Sequence, residues 1–370
     1  MNLILEVKLK PTKMQVELLK ATQRRFNEAC NFVSKVAFEN EELNQYQLHK
    51  LTYYEIRDKF KLPAQLAVRA ISKVTDAYKT GNKNTMRRFR LNGSVAFDSH
   101  IMNFPDEDLV SLRLLESREK IFFVMGEYQR KRWEFSKGQA NLVLKQGKFY
   151  LQISTKIPDE TPLEPKGFLG VDLGIVNIAT DSDGEIFSGE EINSKRFKYK
   201  RLRKDLQAKG SKSAKRHLKK VSKKESNFSR NTNHVISKKL VEKAKRTCRG
   251  ISLEDLKGIR QSKARKSQRD KLHSWSFYQL RFFIEYKSQL AGVPMILVDP
   301  AYTSQTCSEC GHIDKANRKS QSDFCCVNCG NIEHADINAA KNISSIAVVN
   351  QRIIGSEAAK AHFVSNCVAA

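Results

Sequence analysis

The sequence has no long run of apolar residues. No segment of the 370-residue chain approaches the roughly eighteen consecutive apolar residues of a membrane-spanning helix. The first ten residues, MNLILEVKLK, contain too short an apolar run for a signal peptide, and their alternation of apolar and polar residues predicts a β-strand. We therefore expect a cytoplasmic protein that spans no membrane.

The chain also lacks cysteines spread along its length, which argues against a disulfide framework. Five of the eight cysteines fall within residues 307–329, and such a cluster indicates a metal site in a reducing compartment. Two Cys-x-x-Cys pairs, separated by fifteen residues, predict a tetrahedral zinc ion bound by Cys307, Cys310, Cys326 and Cys329. Because four thiolates leave no coordination position open, we expect this zinc ion to be structural and not catalytic.

Acidic residues are few compared with basic ones. The 40 Asp and Glu stand against 66 Lys and Arg, and the formal net charge of +26 points to a nucleic acid or an anionic membrane surface as partner. Most of the excess lies in residues 195–271, which hold 29 Lys and Arg and six acidic residues. This segment is the predicted contact with a polyanion, and a solvated basic helix is the alternative interpretation.

The first 160 residues contain strand-like alternation and a long helical stretch. The N-terminal segment alternates as a strand, and short alternating runs separated by turn residues resume after a long helical stretch. In the helical stretch, Thr12 and Gln15 match a capping box, and apolar residues recur at steps of three and four. We predict a small β-barrel of residues 1–10 and 88–160, with residues 11–87 inserted as a helical bundle.

From residue 166 onward, strands and helices alternate, which is typical of an α/β domain. Strands are predicted in GVDLG, ISLEDL and VPMILV. The predicted parts are an α/β domain of residues 166–301 and 334–350 with a basic helical insert at 192–249, a cysteine-rich insert at 302–333, and a tail at 351–370. The expected fold class is therefore multidomain α+β.

Three acidic residues occupy positions that suggest catalysis. Asp172 lies within the apolar strand GVDLG, where a buried carboxylate is costly unless it is hydrogen-bonded or binds a cation. Glu254 ends the strand ISLEDL and Asp336 begins a helix. Successive acids are 82 positions apart, so only the fold can bring them together. An RNase H-like site places three such carboxylates around two Mg²⁺ ions that promote phosphodiester hydrolysis. The order Asp, Glu, Asp along the chain is that of RuvC-type nucleases.

The cysteine-rich insert comes immediately before Asp336. We expect this insert to close on itself around zinc and to return the chain so that Asp336 faces the other two acids. The insert is then expected beside the active site. Arg318, between the two cysteine pairs, could reach a phosphate of the scissile strand there, and a surface arginine without a role is the alternative.

Five segments together resemble the TnpB family: GVDLGIVNIAT, ISLEDLKGI, PAYTSQTCSECG, FCCVNCG and EHADINAAKNI. TnpB proteins are RNA-guided nucleases of small bacterial insertion sequences and are related to the type V CRISPR effectors. The resemblance is close over residues 166–345 and looser over residues 1–165. It implies that Asp172, Glu254 and Asp336 are the catalytic acids and that the four paired cysteines form the family's zinc module.

The resemblance also implies an architecture and an activity. A wedge-type β-barrel with an inserted recognition bundle would precede a RuvC nuclease domain, which carries a zinc-ribbon insert for binding target nucleic acid. The implied protein is an endonuclease of the bacterial cytoplasm and nucleoid that binds a guide RNA from the transposon end. It would cleave complementary double-stranded DNA beside a short transposon-associated motif. Two Mg²⁺ ions, one Zn²⁺ ion and the guide RNA are the expected cofactors, and a protein monomer with RNA is the expected assembly.

Other functions stay open at this point. A guide-free, structure-selective RuvC-type nuclease is one, although such an enzyme would not need the first 165 residues. A non-catalytic zinc-ribbon protein that binds nucleic acid is another, although the three acids are all present. A small CRISPR-associated effector is the third, and a repeat array beside the gene would distinguish it.

Overall fold

The structure, a computed structural model, describes residues 1–80, 84–255 and 277–367. The chain divides into two compact units, Met1–Pro158 and Asp159–Ala370. The end of the segment ISLEDLKGI and the last part of the basic segment lie outside the described residues. Among the described helices, none is long and apolar enough to cross a membrane.

The first unit is built on a seven-stranded antiparallel sheet with the order β2-β6-β7-β1-β5-β4-β3. Its strands are β1 (Asn2–Lys10), β2 (Val95–Phe97), β3 (Met102–Asp106), β4 (Leu109–Arg113), β5 (Arg118–Val124), β6 (Ser136–Lys145) and β7 (Lys148–Lys156). The N-terminal strand β1 is central because it pairs with both β7 and β5. In the described part of the chain the order is linear, so the sheet is an open half-barrel.

Helices of the first unit follow β1 directly. They are α1 (Lys13–Glu39), α2 (Gln45–Phe60) and α3 (Ala64–Lys79), with a short α4 (Glu127–Arg130) between β5 and β6. The predicted capping box is confirmed, because the Thr12 hydroxyl accepts the Gln15 backbone N–H and the Gln15 side chain accepts the Thr12 backbone N–H. One apolar core, which includes Phe26, Ile71 and Leu151, joins the helices to the sheet.

The second unit contains a five-stranded sheet with the order β10-β9-β8-β11-β12. Its strands are β8 (Phe168–Asp172), β9 (Asn177–Asp181), β10 (Ile186–Ser188), β11 (Gly250–Glu254) and β12 (Met295–Val298). Strands β8, β9 and β10 form an antiparallel meander, whereas β8, β11 and β12 run parallel. Its helices are α5 (Glu190–Lys209), α6 (Lys212–Arg246), α7 (Phe277–Ala291) and α8 (Ala335–Cys367).

The two faces of this sheet carry different helices. Residues of one face, such as Val171 and Leu253, pack against α6 and α7. On the other face, Phe168 packs against Ile343 and its neighbours on α8. A Cβ atom added at Gly170 would lie 1.9 Å from a backbone oxygen of α8, so β8 and α8 approach closely enough to require glycine there. This approach brings the beginning of α8 to the edge of the sheet.

Helices α5 and α6, which hold most of the described part of the basic segment, form a helical hairpin. Gly210 makes the turn with a φ of +60°, and Leu206, Ala214 and Val221 form the apolar seam between the two helices. Lysines such as Lys204 point to solvent. The hairpin therefore presents its positive charge outward.

The cysteine-rich insert lies between β12 and α8. It contains two short antiparallel strands, β13 (Asp323–Cys325) and β14 (Ile332–His334), and a turn of 3-10 helix at Lys315–Asn317. Helix α8 continues from the end of this insert to Cys367 and runs into the segment that the residue pattern sets apart as a tail. No proline lies in that segment to end the helix.

Candidate active site and metal centre

The three predicted acids meet at one edge of the five-stranded sheet. In the parallel pair β8 and β11, Val171 lies beside Leu253, so the residues that follow them, Asp172 and Glu254, end the two strands at the same edge of the sheet. Asp336 is in the first turn of α8, which packs across β8, and it is only 6% exposed. Strand register and helix packing thus bring together residues that are far apart in the sequence.

Burial raises the pKa of two of the three carboxylates. Burial among protein atoms, together with the charges of Glu254 and Asp336, raises the pKa of Asp172 to about 7, although the residue is at the sheet edge. Burial also raises the pKa of Glu254, and a hydrogen bond from Thr303 and the nearby charge of Arg318 oppose this rise. Three oxygen ligands that repel one another suit a hard divalent cation such as Mg²⁺. The donor set therefore fits the predicted magnesium site.

Hydrogen bonds orient Asp336 from both sides. The amide of Asn177, at the start of β9, donates to Oδ2 of Asp336 at 2.8 Å. The guanidinium of Arg318 donates to Oδ1 of Asp336 at 3.4 Å and to the carbonyl oxygen of Gln321 at 3.1 Å. Arg318 also lowers the pKa of Asp172 and Glu254, which places its charge near all three acids. The residue expected to contact a phosphate thus lies at the acidic cluster.

The four paired cysteines form a cluster that could hold a metal ion. Their Sγ atoms all lie within 4.8 Å of one another, with 3.7 Å between Cys307 and Cys329 and 3.6 Å between Cys310 and Cys326. Four sulfurs bound to zinc at about 2.3 Å would be about 3.8 Å apart in a regular tetrahedron. Cys325 is not part of this cluster. The thiols therefore fit one zinc ion in a closed site.

Glycines close both cysteine turns. In each turn the N–H of the glycine after the second cysteine donates to the carbonyl of the first, Gly311 to Cys307 and Gly330 to Cys326, at 3.0 Å. Both glycines have a φ near +75°, a conformation that favours glycine. The sequence CxxCG therefore carries both the ligands and the turn.

Several site residues carry no recognisable sequence signal. Asn317 is fully buried and joins the two cysteine turns, since its amide donates to Gln305 and His312 carbonyls and its Oδ1 accepts the N–H of Val327. Thr303 hydrogen-bonds Glu254. Asn338 and Asn342 of α8 hold the segment that leads into the first cysteine turn. Only the asparagine-rich composition of EHADINAAKNI hinted at the last pair.

Comparison with known proteins gives two family matches. The profile of the family described as "Probable transposase", OrfB_IS605, matches residues 152–268. The profile described as "Cas12f1-like, TNB domain" matches residues 277–343. The second range covers all four cysteines and Asp336, and the first covers Asp172 and Glu254.

Among curated proteins, the "CRISPR-associated endodeoxyribonuclease Cas12f1" of Sulfoacidibacillus thermotolerans is 29% identical, with 82% of each chain covered. The "Putative RNA-guided DNA endonuclease InsQ" of Escherichia coli K12 is 32% identical over 53% of each chain, so the match spans about half of that relative. A solved Cas12f1-sgRNA-target DNA complex superposes with a TM-score of 0.66 at 16% identity, covering 90% of this chain and 83% of that one, which shows a shared fold. Residues 152–268 and 277–343 thus match these two family models, and the chain is similar to Cas12f and TnpB-like proteins.

Proposed function

We propose that this protein is an RNA-guided endonuclease that cleaves double-stranded DNA complementary to its guide. The observation that carries the proposal is the convergence of Asp172, Glu254 and Asp336 at one sheet edge, next to a four-cysteine cluster. The names of the relatives, a CRISPR-associated endodeoxyribonuclease and an RNA-guided DNA endonuclease, support the same activity. The proposed cofactors are two Mg²⁺ ions at the acids, one structural Zn²⁺ ion at the cysteines, and a guide RNA.

The chemistry follows from the charge distribution at the acids. Asp172, Glu254 and Asp336 would hold divalent ions, whose chemistry there would be to activate a water and to neutralise charge on the leaving oxygen. Asp172, Glu254 and Asp336 provide the negative charge that holds such ions, and Asn177 orients Asp336. Arg318 of the cysteine-rich insert forms an ion pair with Asp336, and in the proposed complex it exchanges Asp336 for a phosphate oxygen of the scissile strand. Sequence selection falls to base pairing between guide and target.

The remaining assignments follow the same family pattern. We propose that the half-barrel and the helical bundle of the first unit act as the wedge and recognition parts and read the short flanking motif. The outward lysines of the α5–α6 hairpin would contact phosphates of the guide or heteroduplex. The proposed assembly is one protein chain with one guide RNA, acting at the nucleoid of a bacterial cell. The acidic site makes a purely binding role less well supported than nuclease activity.

The test of the guided function is to sequence co-purifying RNA. The gene is expressed together with its native downstream DNA, and RNA is extracted from the purified protein. We expect one discrete species with a constant structured part and an end that runs past the element boundary. A mixture of unrelated host fragments would contradict a dedicated guide and favour a guide-free nuclease, and a repeat-derived species would identify a CRISPR-associated effector.

Replacing Arg318 by glutamine is expected to slow cleavage by about 10- to 100-fold at saturating target, because a charge-assisted contact to the phosphate is lost from the site. Single-turnover cleavage with the guide-loaded protein measures this rate. The control is Lys319→Gln, which removes the same charge from the adjacent, exposed position and should leave the rate unchanged. Wild-type cleavage by the Arg318→Gln protein would show that this arginine has no part in the reaction.

A further inference from the structure

Glu254 is held by a residue that is not an acid and does not lie on its own strand. The hydroxyl of Thr303 donates a hydrogen bond to Oε1 of Glu254 at 2.5 Å, across 49 residues of sequence. Thr303 is 3% exposed, and its hydroxyl also lies 3.2 Å from the carbonyl oxygen of Pro300. Thr303 contacts Oε1 of Glu254 and not Oε2. A residue of the cysteine-rich insert therefore orients the Glu254 carboxylate.

The segment that carries Thr303 is fixed in turn by α8. The amide of Asn342 donates to the carbonyl of Thr303 at 2.9 Å and to that of Thr306 at 2.7 Å. One turn earlier, the amide of Asn338 donates to the Thr306 carbonyl at 2.8 Å, and its Oδ1 accepts the N–H of Ser308 at 2.9 Å. Both asparagines are buried, at 0% and 7% exposure. Their hydrogen bonds span the backbone on both sides of Cys307.

Helix α8 therefore helps to position two of the acids, Asp336 and Glu254. Asp336 lies on α8 itself, and Asn342 of α8 holds Thr303, which in turn hydrogen-bonds Glu254. Asn338 of α8 holds the following residues of the same segment, Thr306 and Ser308. Cys307, a zinc ligand by its geometry, lies inside the clamped segment. Four amide hydrogen bonds and one hydroxyl hydrogen bond thus connect Glu254 to the cysteine-rich insert and to α8, the helix that carries Asp336.

We propose that Thr303 is the positioning residue that orients Glu254 for binding the divalent ion, and that Asn338 and Asn342 keep it in register with Asp336. The inference rests on the proposed function, since the ion is the one that function requires. Hydrogen-bond partners behind metal ligands typically change metal affinity by about 10- to 100-fold when removed. Loss of the Thr303 hydroxyl should therefore weaken metal binding without removing a ligand.

The test is Thr303→Val, which keeps the side-chain shape and removes the hydroxyl. Mn²⁺ binding to the full-length, zinc-loaded protein is measured by electron paramagnetic resonance, with Asp172→Ala giving the background. We expect the variant to bind Mn²⁺ about tenfold more weakly than wild type. In cleavage assays with the guide-loaded protein, the Mg²⁺ concentration for half-maximal rate should rise by a similar factor, with a smaller change in the rate at saturating Mg²⁺. Thr303→Ser should restore both values.

Thr306→Val is the matched control, because it removes a hydroxyl from the same segment that bonds the Tyr302 carbonyl and not an acid. It should bind Mn²⁺ as wild type does. Wild-type Mn²⁺ affinity in Thr303→Val, or an equal loss in both valine variants, would overturn the positioning role. Equal Mn²⁺ binding by wild type and Asp172→Ala would instead refute the proposed metal site, and this inference with it.

Discussion

Asp172→Asn is expected to abolish cleavage of guide-matched DNA while leaving guide and target binding intact. The substitution keeps the side-chain size but removes the central negative charge of the three acids, so the site should no longer hold divalent ions. We expect the single-turnover rate to fall by at least about 10³-fold, as for other residues on which a reaction depends. Cleavage and electrophoretic binding assays on the same preparation separate the two effects.

The same variant should be at least as stable as the wild type. Because the pKa of Asp172 in the folded chain is raised to about 7, above its unfolded value, the ionised carboxylate opposes folding at pH values above the unfolded pKa. An uncharged amide removes this cost, so in EDTA near pH 8 the melting temperature of Asp172→Asn should rise or stay the same. A large fall in melting temperature would mean that the activity loss reports unfolding.

Asp299→Asn is the control for this prediction. Asp299 follows β12, the next parallel strand of the sheet, but it is exposed and its Oδ1 accepts only the local N–H of Ala301 among the described contacts. An asparagine oxygen can accept the same hydrogen bond, so cleavage should continue at the wild-type rate. Comparable activity of Asp172→Asn and wild type would show that the acids at this edge are not the catalytic centre.

Removal of the zinc ion is expected to have the second largest effect. The cysteine-rich insert has little apolar interior. Its core is a small cluster of Cys307, Phe324, Cys326 and Ala335, and its two strands have three residues each. Such a module depends on its metal for folding, since zinc binding contributes on the order of 10–16 kcal/mol in small zinc domains. Without zinc, Arg318 and Thr303 should lose their places beside the acids.

Cys310→Ser tests this dependence. Metal analysis should give close to one zinc ion per chain for the wild type and close to none for the variant, and cleavage should fall by at least about 100-fold. Cys325→Ser is the control, because Cys325 is adjacent to a ligand but outside the four-sulfur cluster. Zinc and activity retained in Cys310→Ser, or zinc lost in Cys325→Ser, would show that the sulfurs have been assigned wrongly.

Local patterns in the sequence were sufficient to predict which cysteines cluster. The CxxCG spacing identifies four sulfurs and the turns that hold them, because ligands and turn lie within five residues of one another. Asp172 stands out because a carboxylate in an apolar strand conflicts with its surroundings. The capping box of α1 and the alternation of β1 are likewise contained within a few residues, and the structure has both.

The tertiary structure alone decided how these pieces meet. The register of β8 on β11 and the close approach of α8 at Gly170 bring the three acids to one edge, and neither can be read from a single segment. The position of Arg318 between the cysteine pairs suggested a role for it, but the sequence did not predict its contact with Asp336. Thr303 carried no sequence signal, and only the asparagine-rich composition of EHADINAAKNI hinted at Asn338 and Asn342. The hydrogen bonds of Thr303 to Glu254 and Asn342 span 49 and 39 residues, and a threonine looks the same in a sequence whether its hydroxyl faces water or a carboxylate.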